Sequence, residues 1–170
     1  MQPEQPLSAY IIRETLIGGV INAFFSLIFV FIVFAGQATI AMTGSDGLLI
    51  DSLPQGLAIG LLGSFFPSFL TRKRLSKGAL PCGSQQSGSR LPLHPFLRAL
   101  LFAALGAALT VVLFYSLFLV GQVTHLSFLN AAFIKVIWGG LLGAAVANTA
   151  LRLALRDYHY LHPSLTSETP

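Results

Sequence analysis

Four long apolar runs constrain this chain more than any other feature. A helix that crosses a bilayer needs about 20 consecutive apolar residues. Four stretches reach that scale, at about 10–35, 53–70, 96–120 and 126–151. Composition agrees: 54% of the residues are hydrophobic and 9% are charged, where a soluble domain carries about 25% charge. With 170 residues, the chain has length for one domain and none left over for a soluble catalytic unit. The first run exceeds the about 7–15 residues of a signal-peptide core, and a later segment copies it, so it is expected to be retained.

The ten lysines and arginines define an orientation. Arg13 precedes the first span, and Arg72, Lys73, Arg74, Lys77, Arg90 and Arg98 lie between the second and third. Arg152 and Arg156 follow the fourth. The other two connections carry no lysine or arginine, leaving Lys135 aside. By the positive-inside bias both termini and the central connection are expected in the cytoplasm, with 37–52 on the opposite side. A net charge of +4 and a pI near 9.6 therefore reflect topology, and no nucleic acid partner is expected. Cys82 has no second cysteine to pair with. It is expected to be a reduced thiol without a role.

The spans fall into two similar halves. A shift of 85 residues places Arg13 on Arg98, Leu16 on Leu101, and Gly36-Gln37 on Gly121-Gln122. A shift of 80 places the Gly-Leu-Leu-Gly run starting at Gly60 on the one starting at Gly140, and Arg72 on Arg152. The difference falls in a loop, where length change costs least. The expected fold is an all-α, integral membrane four-helix bundle, a tandem parallel repeat of two transmembrane hairpins. Its parts are a two-helix unit over 1–80, a cytoplasmic linker over 81–93, a second unit over 94–160 and a disordered tail over 161–170. Two helices per unit bring both units into the membrane in the same direction, with a pseudo-twofold axis along the normal.

Lipid gives helices no hydrophobic reason to associate, so close contact at small residues does that work. Gly56 with Gly60, and Gly139 with Gly143, each lie four apart and share one face of their helix. The expectation is that they bring the second and fourth helices together.

Ionisable and amide groups in the spans are the candidates for chemistry, because lipid makes them expensive. Lys135 lies 17 residues before Arg152, roughly 25 Å away along a helix, near the non-cytoplasmic surface. It either snorkels to headgroups or stands at a pathway mouth, paired with Asp51. Glu14 suits the first turn of a helix dipole or serves proton coupling. Asn22, nine residues beyond Arg13, and Asn148 either hydrogen-bond to a neighbouring helix or touch a ligand. Pro67 removes a backbone hydrogen bond near the end of the second span and is expected to kink it. Tyr10, Tyr158 and Tyr160 read as interfacial anchors, and Phe24, Phe31 and Phe34 as a lipid-facing stripe. The four histidines, His94, His125, His159 and His162, lie near or outside the boundaries, poorly placed for haem. The chain has no His-Glu-x-x-His, Cys-x-x-Cys or Walker motif. No enzyme activity, cofactor or metal is expected.

Each half has an arginine before its first helix, and the first half has Pro67 followed by the basic cluster Arg72, Lys73 and Arg74. In these features the chain resembles uncharacterised small bacterial inner-membrane proteins built from two-helix units, some of which are labelled permeases. Ala147 stands where the second half would carry the proline. The resemblance implies a bacterial inner-membrane location and assigns no residues. Two functions fit these features. One is a small homo-oligomeric transporter or channel-like permease; the other is a non-transporting scaffold or accessory subunit of a membrane complex. Membrane lipids are partners in either.

Overall fold

A computed structural model describes residues 6–78, 80 and 94–161, and not the side chains of 158–161. The expected linker at 81–93 and the tail at 162–170 lie outside the described residues, as do the side chains of Tyr158, His159, Tyr160 and His162. The elements are α1 (Leu7–Phe34), β1 (Thr39–Ala41), α2 (Leu48–Ser76), α3 (Pro95–Leu119), β2 (His125–Ser127) and α4 (Phe128–Leu161). All four helices are long and apolar enough to cross a membrane. The chain is an all-helical, multi-pass membrane protein.

Two helices outrun their apolar stretches. α2 begins at Leu48, not near 53, which places Asp51 and Ser52 in its first turns. α4 continues to Leu161, ten residues past the expected 151. The reason is that hydropathy marks only what lipid must cover, whereas a helix continues through polar residues when other helices satisfy them. α1 stops where Gly36 takes a positive φ of 87°, and α3 opens on Pro95 at its first turn. α2 runs unbroken through Pro54 and Pro67.

The helices lie in a row in the order α1, α4, α2, α3. α1 packs against α4, α2 against α3, and α2 against α4, while α1 and α2 hardly touch. Neighbouring contacts fix the directions. Gly18 meets Ala147 and Gly140 meets Ala23, so α1 and α4 are antiparallel. Gly56 meets Gly106 and Gly60 meets Phe102, so α2 and α3 are antiparallel. Gly63 meets Val146 and Ser68 reaches the Ala150 carbonyl, so α2 and α4 are parallel. Each sequential helix pair thus forms a splayed hairpin whose members are held by the other hairpin.

The small-residue expectation needs correcting here. α2 and α4 do meet, but Gly56, Gly60 and Gly143 do not make that seam, and Gly139 touches it only at Gln55. Gly56 and Gly60 face α3, and Gly139 and Gly143 face Ser26 and Asn22 of α1. Glycine belongs on these outer seams because helix backbones approach most closely there. The central seam uses larger groups, with Ile59, Leu142 and Val146 in one buried cluster.

Sequence reading gave no strands. The α1–α2 and α3–α4 loops nonetheless pair as a short antiparallel ribbon centred on Ile40 opposite Leu126. The Met42 N–H donates to Thr124 (2.9 Å), and the Phe128 N–H donates to Ala38 (3.2 Å). These two bonds flank the centre symmetrically. Residues 42–47 separate β1 from α2, whereas β2 runs directly into α4. Beneath the ribbon, Val30, Phe34, Ile40, Met42, Leu48 and Phe114 form a buried cap.

Candidate functional site

Within each splayed hairpin, polar bridges do what backbone packing does not. In the first, Gln55 Nε2 donates to Ser26 Oγ at 2.6 Å, and Ser26 Oγ donates to the Asn22 carbonyl at 2.8 Å. In the second, Trp138 Nε1 donates to Thr110 Oγ1 at 3.0 Å, and Thr110 Oγ1 donates to the Gly106 carbonyl at 2.7 Å. A glycine faces each hydroxyl, Gly139 at Ser26 and Gly56 at Thr110. A serine or threonine whose hydroxyl returns to its own helix keeps its oxygen available as an acceptor. The glycine opposite gives that oxygen room.

The same correspondence continues to the end of the bundle that carries the start of α1 and the end of α4. Arg74 Nη1 donates to Glu14 at 2.6 Å, joining α2 to α1. Arg98 Nη1 donates to Asp157 at 2.6 Å, joining α3 to α4. The acid and base have exchanged helices between the two hairpins. These contacts relate α1 to α3 at a spacing of 84 and α2 to α4 at 83. Gln55 and Trp138 are likewise 83 residues apart, as are Gly56 and Gly139, and Gly60 and Gly143.

The two ion pairs differ in surroundings. Arg98 and Asp157 are 1% and 0% exposed, and Arg72 stands 3.4 Å from the same carboxylate. Nε and Nη2 of Arg98 are buried without a hydrogen-bond partner. Glu14 is 14% exposed and Arg74 42%, with the guanidinium over the Tyr10 ring.

Lys135 does not snorkel. It is 0% exposed, donates to Asp51 across the α2–α4 seam, and lies over the Phe34 ring beneath the cap. Asn22 hydrogen-bonds to Gly18 of its own helix (2.8 Å), not to a neighbour, and packs on Gly143. Asn148 accepts from Arg152 at 2.6 Å, one turn along the same helix. Tyr10 is buried and bonded to Thr71 at 2.9 Å, so it ties α1 to α2 and is no surface anchor. Phe24 and Phe31 are exposed as expected of a lipid-facing stripe, but Phe34 is buried in the cap.

The gap between α1 and α2 is a lateral groove with α4 at its back. A compartment of about 390 Å³ begins beside Glu14 and Leu70 and passes Pro67 and Phe66. A second, of about 230 Å³, continues past Asn22 and Phe25 to Ser26 and Gln55. Glu14, Asn22 and Pro67 therefore share one feature, and Lys135 and Asp51 belong to another.

The sequence reading missed Asp157, Trp138 and Thr110 as partners. One signal for Asp157 was available: an acid at a helix C-terminus opposes the macrodipole, so it needs a cation nearby. Comparison with protein-family models, characterised proteins and solved structures returns no match.

Proposed function

We propose that this chain is a non-conducting membrane scaffold or accessory subunit, built by duplication of a two-helix unit. The observation that carries this reading is where the polar groups go. Among the described residues, every acid in the four helices is spent on a helix-to-helix pair, Asp51 with Lys135, Glu14 with Arg74, and Asp157 with Arg98 and Arg72. A transport pathway needs polar groups that converge on a shared space. Here Lys135 is sealed under the cap, and Asn22 lies in an apolar groove on another face.

Duplication is supported by the matched bridges, Gln55–Ser26 with Trp138–Thr110, and by the symmetric ribbon. Under the positive-inside bias, the end bearing Arg72, Arg74, Arg98 and Arg152 faces the cytoplasm of a bacterial inner membrane. Reporter fusions at both termini test this orientation: activity of a periplasm-dependent reporter at either terminus would contradict it.

Proteoliposomes carrying a pH-sensitive dye, challenged with proton, sodium and potassium gradients, test the scaffold reading. The expected leak equals that of protein-free vesicles. Flux that scales with protein would establish the alternative, a small homo-oligomeric transporter or channel.

A further inference from the structure

The α1–α2 groove has a length, a width and a charged mouth that together define its occupant. We propose that it binds one acyl chain of an anionic glycerophospholipid, with the lipid phosphate against Arg74. This goes beyond the scaffold reading and does not depend on it, since a transporter could hold the same lipid.

The first argument is length. The larger compartment runs from Glu14 to Phe25 along α1. Eleven residues of helix span about 17 Å, roughly half of an about 30 Å hydrocarbon core. The groove therefore serves one leaflet.

The second argument is width. Spread over that length, about 390 Å³ leaves a mean cross-section of roughly 20–25 Å². A helix about 10–12 Å across has roughly four times that area. At that cross-section a whole helix cannot be enclosed in the groove. An extended hydrocarbon chain can, over walls formed by exposed Ile21, Phe25, Leu62 and Phe66.

The third argument is charge. Glu14 stands at the mouth and takes one nitrogen of Arg74 at 2.6 Å, and Arg74 stays 42% exposed. Arg13, Lys73 and Lys77 are exposed at the same end. One carboxylate against four cations leaves a positive mouth, and a guanidinium has a second edge to offer a phosphate bidentately.

Native mass spectrometry of the delipidated, detergent-solubilised full chain tests the proposal. The added lipids are phosphatidylglycerol and phosphatidylcholine with identical acyl chains. One phosphatidylglycerol per chain is expected, bound about tenfold more tightly than phosphatidylcholine. Arg74→Gln should abolish that preference. Glu14→Gln breaks the same ion pair but leaves the guanidinium free, and should keep or raise it. Leu62→Trp, from the groove wall, should weaken both lipids, with circular dichroism confirming the fold. Equal binding of the two lipids in the native chain would overturn the phosphate contact. So would equal loss in Arg74→Gln and Glu14→Gln, since the pair would then matter only structurally. Unchanged binding in Leu62→Trp would place the lipid elsewhere.

Discussion

The two hairpins solve one problem with opposite charges and different degrees of burial. In the first, an acid on α1 meets a base on α2, and the base is 42% exposed. In the second, a base on α3 meets an acid on α4, and both are almost fully buried. Position is shared, but the role is not. Removing charge from water is costly, so a buried pair contributes little net stability while a broken one is very destabilising. A half-exposed pair is screened and gives little either way. The buried pair fixes α3 to α4. Neither pair closes its hairpin: α1 and α2, like α3 and α4, stay splayed, and the half-exposed pair stands at the end of the α1–α2 groove.

The largest test of this contrast is Asp157→Asn, which strands Arg98 in the interior. It should cost about 3–5 kcal/mol, read by reversible unfolding in detergent. Glu14→Gln should cost about 0–1 kcal/mol. Equal costs would break the comparison. The polarity swap Glu14→Arg with Arg74→Glu should recover stability to within about 0.5 kcal/mol of the native chain. Recovery would show that the first hairpin needs a pair and not a particular polarity.

Next in size is the seam test. A Cβ on Gly60 would run into the Phe102 backbone, which cannot step aside, whereas a Cβ on Gly63 meets nothing closer than Val146 at 3.4 Å. Gly60→Ala should therefore cost about 1–3 kcal/mol, and Gly63→Ala should stay within about 0.5 kcal/mol. A large loss at Gly63 would move the closest backbone approach to the central seam.

The smallest test concerns the neutral polar bridges within the hairpins. Trp138→Phe removes the bond to Thr110 and should cost about 0.6 kcal/mol, the mean for such bonds in lipid. Gln55→Leu loses the bond to Ser26 but also removes Oε1, a buried acceptor without a partner. It should cost less than Trp138→Phe. The reverse order would mean that the amide, not the indole, is the stronger bridge.

Much of the fold was legible because hydropathy is a local property. Four spans and the common direction of the halves follow from apolar length and helix count. Which small residues meet which neighbours was not legible. Gly-Leu-Leu-Gly at 60 and 140 matches by identity, but Gly56 and Gly139 are the glycines that each face a buried hydroxyl. Close approach selects small residues at a helix seam without regard to the order of the neighbouring leucines. The correspondence of Glu14–Arg74 with Arg98–Asp157 is invisible to identity, since every member changes charge sign. Among the candidate residues, Lys135 and Asp51 could be paired on paper, because depth estimates put both at the same end. That Lys135 is sealed depended on the ribbon and the cap, which bring together residues nearly 90 positions apart.

By itself, the sequence determined that this chain lives in a membrane and crosses it four times, because lipid admits long apolar helices and excludes most charges. Only the tertiary structure decided which helices touch, which glycines lie at the seams, and which charges are hidden. Those outcomes depend on the rotation and depth of each helix against its neighbours. Such quantities are set by contacts across the bundle, and no local stretch of sequence carries them.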